Sequence, residues 1–174
     1  MKRSGRVWRY GDDVNTDVIY PGRFTYTLLS EEEMGAHALV DLDEGYNRDG
    51  KPGDIIVAGK NWGCGSAREQ AVKCLKARGI GAIVAKGFSR IYYRNCLNEG
   101  VSIVICPDAV DAAEAGDILS VDFDKSVITI EGKGQEFAFA PYPEYVLGLV
   151  ESGGLLEYVK MRLRAQGKLP DKNA

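Results

Sequence analysis

The chain carries IIVA at residues 55–58, AIVA at 82–85 and VSIVI at 101–105. Continuous runs of small and β-branched residues, without polar alternation, are typical of strands that are buried on both faces of a parallel sheet. The two intervening segments have helical length, and we expect helices over about 67–78 and 89–99, ended by Gly79 and Gly100. The pattern therefore predicts an α/β fold with a parallel β-α-β-α-β core.

Shorter elements flank this core. The Ser-x-x-Glu pattern from Ser30 to Glu33 is a capping box and predicts a helix over about 31–40. Glycines and a proline give the segment 41–53 the composition of a flexible surface loop. The other predicted elements are a first strand at 5–10, antiparallel strands at 118–123, 127–131 and 136–140, and helices at 144–151 and 155–165.

Length and composition indicate one globular domain. The chain has 174 residues, of which 45% are hydrophobic and 27% charged, which is unlike a disordered protein. We expect a single domain over 1–174, with a core from 6 to 156 and a polar tail from 166 to 174. The net charge of −3 provides no general basic field, so nucleic acid is not an expected partner.

Targeting signals and metal-ligand patterns are missing from the sequence. The first ten residues contain no apolar signal region, and no apolar stretch approaches the roughly 20 residues that span a bilayer. Four cysteines without a C-x-x-C pair predict reduced thiols, and His37 is the only histidine. We therefore expect a cytoplasmic protein that does not insert into a membrane and binds no metal with this chain alone.

The segment 61–70, NWGCGSAREQ, follows a predicted buried strand and carries the residues best suited to chemistry. Ligands bind at this edge of open α/β sheets, and glycines before a helix let backbone N–H groups approach an anion. Arg68 adds a planar guanidinium that can grip a carboxylate. An alternative is that Ser66 and Glu69 form an ordinary capping box. We favour function, because a cation inside the first helical turn opposes the helix dipole.

Several common chemistries lack their motifs here. The dinucleotide pattern G-x-G-x-x-G fails after Gly65, and no phosphate loop of the form G-x-x-x-x-G-K-[ST] occurs. Cys64 and Ser66 have no nearby histidine to serve as their base, and Cys64 is interpreted as a packing residue. The loop therefore reads as half of an active site that needs a partner chain.

Three blocks in order carry a family resemblance: residues 12–23, residues 63–70 and residues 86–95. Together they resemble the small, swivel-domain subunit of the aconitase superfamily, over about residues 6–156. The resemblance implies a swivelling β/β/α domain and a large-subunit partner whose cysteines bind a [4Fe-4S] cluster. It also implies dehydration and rehydration of a hydroxy di- or tricarboxylic acid.

The resemblance also implies residue roles. Ser66 would remove the carbon-bound proton as an alkoxide, a form that neighbouring N–H groups and Arg68 would need to stabilise. Arg68 would grip a substrate carboxylate, with Gly65 and Ala67 beside it as further substrate-binding positions. Asp17 would orient a histidine of the large subunit, although an Asx-turn residue is the plainer interpretation. Relatives often carry serine and histidine where this chain has Ala67 and Gln70.

The segment after Pro21-Gly22 is where relatives differ in specificity. Tyr26 stands where an arginine occurs in forms that accept an additional carboxylate, while Phe24 and Tyr26 could contact an alkyl group. This favours an alkyl-malate substrate, isopropylmalate first and dimethylmalate next. Arg23 keeps the tricarboxylic homocitrate open. Arg90 and Arg94 are assigned to packing or to the subunit interface.

A different class of function also stays open at this point: a stand-alone carboxylate-binding module that keeps the fold without the reaction. Such a module would bind a dicarboxylate without any partner. An enzyme subunit would bind weakly alone and act only after assembly. Self-association of small subunits is a further possibility that the sequence does not decide.

Overall fold

The computed structural model describes residues 1–170, and within them one mixed sheet organises the chain. Its strands have the spatial order β4-β3-β2-β1-β5-β6-β7. The strands are β1 (Lys2–Arg9), β2 (Ile55–Ala58), β3 (Ala82–Ala85), β4 (Ile103–Ile105), β5 (Ile118–Asp122), β6 (Val127–Ile130) and β7 (Gln135–Ala138).

The first strand joins the parallel and antiparallel halves of the sheet. Its carboxyl-terminal part pairs in parallel with β2, with Val7 opposite Ile55, and β2, β3 and β4 follow in parallel register. Its amino-terminal part pairs antiparallel with β5, with Lys2 opposite Asp122. The predicted α/β class, with a parallel core and added antiparallel strands, is confirmed.

Helices cover the sheet and connect its strands. Their bounds are α1 (Thr16–Ile19), α2 (Glu31–Ala36), α3 (Glu44–Asp49), α4 (Gln70–Ala77), α5 (Arg90–Glu99), α6 (Pro107–Ala112), α7 (Glu144–Glu151) and α8 (Leu155–Ala165). Helices α4 and α5 are the two predicted crossovers, β2-α4-β3 and β3-α5-β4. The predicted polar tail begins at the end of α8, and residues 171–174 lie outside the described part of the chain.

Both faces of the parallel strands are buried, as their continuous apolar runs predicted. Alternate residues such as Ile56 and Ile83 pack in one core with Leu75 of α4. Their neighbours Ile55 and Val84 lie in a second core on the opposite face of the sheet. This second core also contains apolar residues of α6, β5 and β6. The loops of the candidate site follow the carboxyl ends of strands in this sheet, which two cores hold in place.

The segment 41–53 differs from the prediction of a loop, because it contains α3. The side chain of Asp43 accepts a hydrogen bond from the N–H of Tyr46 at 3.1 Å and caps the helix. Tyr46 is fully buried, and its ring packs edge-on against Trp8 at a centroid distance of 5.2 Å. A single buried aromatic residue thus anchors a stretch whose other residues have loop-like composition.

Several further elements differ from the predictions, including β1, which spans Lys2–Arg9 rather than 5–10. Helix α2 ends at Ala36 rather than near residue 40, and α6 was not predicted. Helix α4 begins at Gln70, three residues after its predicted start, with consequences for Ser66 and Arg68. Within residues 1–170, no helix combines the length and apolar character needed to cross a membrane.

Candidate functional site

Three loops meet at the carboxyl ends of β1, β2 and β3. The N–H of Asp13 donates to the carbonyl of Lys60 at 2.8 Å, which ties the first loop to the second. The N–H of Trp62 donates to the carbonyl of Gly87 at 3.0 Å, which ties the second loop to the third. The three sequence blocks that carry the family resemblance are thereby brought together at one edge of the sheet.

The two glycines of the second loop are required by close packing. Gly63 has a φ of +76°, and a Cβ atom there would lie 2.1 Å from Cγ of Tyr92. Gly65 has a φ of +97°, and its Cβ atom would lie 2.4 Å from Oδ1 of Asn15. Both positions need left-handed backbone and have no room for a side chain. The glycines therefore shape the loop itself, a role that the sequence did not distinguish from ligand approach.

Ser66 is held by a threonine of the first loop. Its N–H donates to Oγ1 of Thr16 at 2.9 Å, and its Oγ also lies 2.9 Å from that atom. Thr16 is buried, with 1% of its surface exposed, whereas Ser66 is half-buried. Either hydroxyl can donate in the contact between the two oxygens, and Oγ1 of Thr16 also lies 3.4 Å from Oδ1 of Asn15. Thr16 is therefore placed to donate to the Ser66 oxygen whenever that oxygen carries negative charge.

The proposed capping box at Ser66 does not form. Glu69 occupies the N-cap position of α4 and makes no side-chain capping bond. Arg68 therefore precedes the helix, and the argument that its charge opposes the dipole inside the first turn was wrong. The first loop explains the difference, because Thr16 takes both the N–H and the hydroxyl of Ser66.

Asp17 and Arg68 form an ion pair between the first and second loops. The side chain of Asn15 accepts the N–H of Asp17 at 2.8 Å and caps α1. The Asx turn that was the plainer interpretation of Asp17 is therefore formed by the side chain of Asn15. The carboxylate of Asp17 is left to bind Arg68 through Oδ1, and 60% of its side chain is exposed. The ion pair thus fixes the guanidinium of Arg68, a residue two positions after Ser66 in the sequence.

A cleft of about 610 Å³ opens beside Ser66. It contains the exposed guanidinium-bearing residues Arg90 and Arg94 at the start of α5, which the sequence assigned to packing or to the interface. Arg68 does not line it. The lining residues are Asn61, Cys64, Gly65, Ser66, Phe88, Ser89, Arg90, Ile91 and Arg94.

The predicted specificity residues lie on a turn outside the cleft. Arg23 donates two hydrogen bonds to the carboxylate of Asp41, at 2.5 and 2.6 Å, and these bonds hold the pKa of Asp41 below its ordinary value. Phe24 stacks on His37 at a centroid distance of 3.7 Å. Tyr26 is 91% exposed. The turn approaches the site at Gly22, where a Cβ atom would lie 3.4 Å from Nη1 of Arg68.

The cysteines do not form a metal-binding set. Cys74, Cys96 and Cys106 are buried, and burial raises the pKa of each thiol. Cys64 is half-buried in the cleft, and its thiol lies 3.3 Å from the carbonyl oxygen of Asp13. Over residues 1–170, no group of three or more histidine, cysteine or acidic side chains could hold a metal ion.

Sequence reasoning missed two features of this site. Thr16 lies within the first block, residues 12–23, and nothing in the tripeptide Asn15-Thr16-Asp17 indicates contact with Ser66. Arg90 and Arg94 carried a signal that went unused: their block follows β3, whose carboxyl end lies at the same edge as the Ser66 loop.

Comparison with known proteins shows the family to which the chain belongs. The model of the aconitase C-terminal domain matches residues 12–106. This range includes all three sequence blocks and the whole of α5. The chain belongs to this family. The match spans Thr16, Ser66 and both cleft arginines, so the site lies within the family domain.

Relatives in the family match over nearly their whole length. The small subunit of 2,3-dimethylmalate dehydratase from Eubacterium barkeri is 47% identical, over 91% of this chain and 97% of the relative. The small subunit of 3-isopropylmalate dehydratase from Caldanaerobacter subterraneus is 45% identical, over 92% and 99%. The solved structure of 3-isopropylmalate dehydratase from Methanocaldococcus jannaschii superimposes with a TM-score of 0.90 at 39% identity, covering 97% of this chain and 99% of that chain.

Proposed function

We propose that this chain is the small subunit of a hydro-lyase that isomerises 2-isopropylmalate to 3-isopropylmalate by dehydration and rehydration. Relatives named as small subunits of that enzyme support this function at 42–45% identity over more than nine-tenths of the chain. The observation that carries the proposal is the contact of Ser66 with Thr16 at the mouth of a cleft that contains two arginines. Leucine biosynthesis is the process in which this reaction takes part.

Ser66 is the proposed base. Its Oγ would accept the carbon-bound proton of the substrate, and the hydroxyl of Thr16 would donate to Oγ when it carries negative charge. A donor that is already in place costs no reorganisation when the charge develops. Thr16 is a positioning residue in this scheme, because it touches Ser66 and not the reacting carbon.

Arg68 and the loop backbone are the proposed carboxylate grip. Asp17 binds one end of the guanidinium and leaves further N–H donors of Arg68 for the substrate. Within residues 1–170, the N–H groups of Gly65 and Ala67 have no hydrogen-bond partner. These donors suit a carboxylate oxygen, as the glycine-rich sequence of the loop predicted.

Asp17 is also proposed to contact the large subunit. Only its Oδ1 binds Arg68, and Oδ2 has no partner in the described part of the chain. An exposed carboxylate oxygen of this kind can accept a hydrogen bond from a histidine of the large subunit, the role that the resemblance implied. One carboxylate would then link the substrate grip to the assembled interface.

The substrate side chain is proposed to be alkyl. Arg23 is already paired with Asp41, so it offers no free cation to an additional carboxylate. Tyr26 remains as an exposed aromatic surface on the same turn, whereas the ring of Phe24 is covered by His37 and by the guanidinium of Arg23. A dimethylmalate substrate is the second candidate, because the relative at 47% identity is named for that substrate. Homocitrate is disfavoured by the pairing of Arg23.

A large-subunit partner is proposed to supply what this chain lacks. Family membership suggests an iron-sulfur enzyme, and the four cysteines of this chain, three buried and one half-buried, form no group within residues 1–170 that fits a cluster. A [4Fe-4S] cluster is therefore assigned to the large subunit. The predicted cytoplasmic location and the absence of a cofactor on this chain stay predictions.

Reconstitution with an iron-sulfur large subunit tests the function. The assembled enzyme should convert 2-isopropylmalate, and Ser66→Ala should abolish turnover without affecting assembly. Ser126→Ala, in the turn between β5 and β6, is the matched control and should retain turnover. Full activity of Ser66→Ala would refute the base assignment. Dicarboxylate binding by the isolated chain, with no complex formed, would favour the stand-alone module.

A further inference from the structure

Arg90 and Arg94 stand apart from the other arginines of the chain. They lie one turn apart on α5 and line the cleft beside Ser66. Within residues 1–170, neither makes a hydrogen bond, an ion pair or a ring contact, whereas each of the nine other arginines makes at least one. Their charges therefore have no direct partner among the described residues.

Local energetics do not explain two arginines at these positions. Arg90 is the first residue of α5, where a positive charge opposes the helix dipole, and the first turn contains no acidic residue. Arg94 follows at i+4, and like charges at that spacing destabilise a helix by about 0.2–0.5 kcal/mol. Such conflicts with local preference are expected where a residue serves function.

Apolar side chains share the cleft with these charges. Phe88 and Ile91 line it, and 52% of Ile91 is exposed in the isolated chain. An apolar wall beside a guanidinium lowers the local polarity once a ligand displaces water, which strengthens an ion pair. The cleft therefore combines two free cations, an apolar wall and the hydroxyl of Ser66.

We propose that Arg90 and Arg94 bind the second carboxylate of the substrate. The inference rests on the proposed function, which requires a dicarboxylic acid whose reacting carbon reaches Ser66. Arg68 is held by Asp17 and lies outside the cleft lining, so it accounts for one carboxylate only. Two guanidinium groups at i and i+4 can take the two oxygens of the other carboxylate.

The experiment uses the assembled two-subunit enzyme and single substitutions in the cleft. Arg90→Gln and Arg94→Gln should each raise KM for 2-isopropylmalate about 10- to 100-fold, the effect of one lost charge-assisted bond. The value of kcat should stay within about twofold of wild type, because this grip binds substrate and transition state alike. Arg48→Gln on α3 changes the net charge equally outside the cleft and should leave KM unchanged.

A monocarboxylate inhibitor identifies what the arginines bind. Two inhibitors are compared: a diacid analogue of isopropylmalate, and the same compound with one carboxylate converted to a methyl ester. The ester should bind much more weakly than the diacid to wild type, and this difference should shrink in the Arg90→Gln/Arg94→Gln double variant. An unchanged difference would overturn the proposal.

Failure of the inference and failure of the proposed function give different results. A wild-type complex that turns over no alkyl malate refutes the proposed function. A wild-type complex that is active, with unchanged KM in both arginine variants, refutes only the role of the arginines. Variants that fail to assemble, while their residual complex keeps the wild-type KM, would assign the arginines to the subunit interface and overturn substrate binding.

Discussion

The side-chain oxygens of Thr16 and Ser66 lie 2.9 Å apart, although 50 positions separate the residues in the sequence. The contact depends on β1 and β2 being parallel neighbours, because their carboxyl ends then bring the two loops together. Thr16 adds a buried partner to an otherwise half-buried hydroxyl. The fold therefore decides both the position of Ser66 and the hydrogen-bonding environment of its oxygen.

Removal of the Thr16 hydroxyl should slow the reaction without preventing assembly. Thr16→Val keeps the shape of the side chain, and we expect kcat to fall about 10- to 100-fold with little change in KM. The ascending limb of the pH profile of kcat, which reports the pKa of the base, should move to higher pH, since a donor to the charged Ser66 oxygen is lost. Thr16→Ser restores the hydroxyl and should recover most activity. An unchanged kcat and pH profile in Thr16→Val would contradict the positioning role.

The same local motif has two outcomes in this chain. Ser30 and Glu33 form the predicted capping box, with Ser30 Oγ accepting the N–H of Glu33 at 3.2 Å. Ser66 and Glu69 have the same spacing and do not form one, because Thr16 occupies the donor and acceptor groups of Ser66. The Ser-x-x-Glu spacing permits a capping box, and contacts from another loop decide whether the box forms.

The predictable part of the fold was the part determined by local pattern. Continuous apolar runs located β2 and β3 at their observed bounds, and the helices predicted at 144–151 and 155–165 coincide with α7 and α8. The family resemblance indicated Ser66 as a candidate for the site. The ion pair between Asp17 and Arg68 and the pair between Arg23 and Asp41 were not predictable, because each joins residues from separate segments and depends on the packed loops.

Gly63 should be intolerant of a side chain. Gly63→Ala places a Cβ atom against Tyr92 in left-handed backbone, and we expect the free energy of unfolding to fall by at least about 2 kcal/mol. Gly116→Ala is the matched control, since Gly116 also has a positive φ, +91°, but nothing within 4 Å of its Cβ position. Urea unfolding of both variants separates packing from backbone strain, and equal losses would show that contact with Tyr92 is not the cause.

Release of Arg23 should widen substrate choice. Asp41→Asn removes the carboxylate that binds Arg23, and the ratio of kcat/KM for homocitrate to that for 2-isopropylmalate should rise about tenfold. Asp49→Asn, which breaks the comparable pair with Arg48, is the control. A ratio that Asp41→Asn leaves unchanged would show that Arg23 cannot reach the substrate even when free.

The lowered pKa of Asp41 decides the pH at which the comparison of kcat/KM should be made. Hydrogen bonds from Arg23 hold the pKa of Asp41 below its ordinary value of 3.8. A carboxyl group with a lowered folded-state pKa stabilises the fold fully above its unfolded pKa, and this contribution is lost as the pH falls through the folded-state value. The pair is therefore intact at neutral pH, and only strong acid should release Arg23 in the wild type. Carboxyl NMR titration of Asp41, with Arg23→Gln returning its pKa upward, checks the assignment.

Cys64 should be the reactive thiol of the native chain and should report on the cleft. It is half-buried and lines the cleft, whereas burial raises the pKa of the thiols of Cys74, Cys96 and Cys106 and shields them from reagent. Ellman's reagent at pH 8 should therefore label one thiol rapidly in the native chain, and unfolding should expose the others. In the assembled enzyme, a dicarboxylate inhibitor should slow this labelling because it occupies the same cleft. Cys64→Ser should remove the rapid phase, and its persistence in that variant would place the reactive thiol elsewhere.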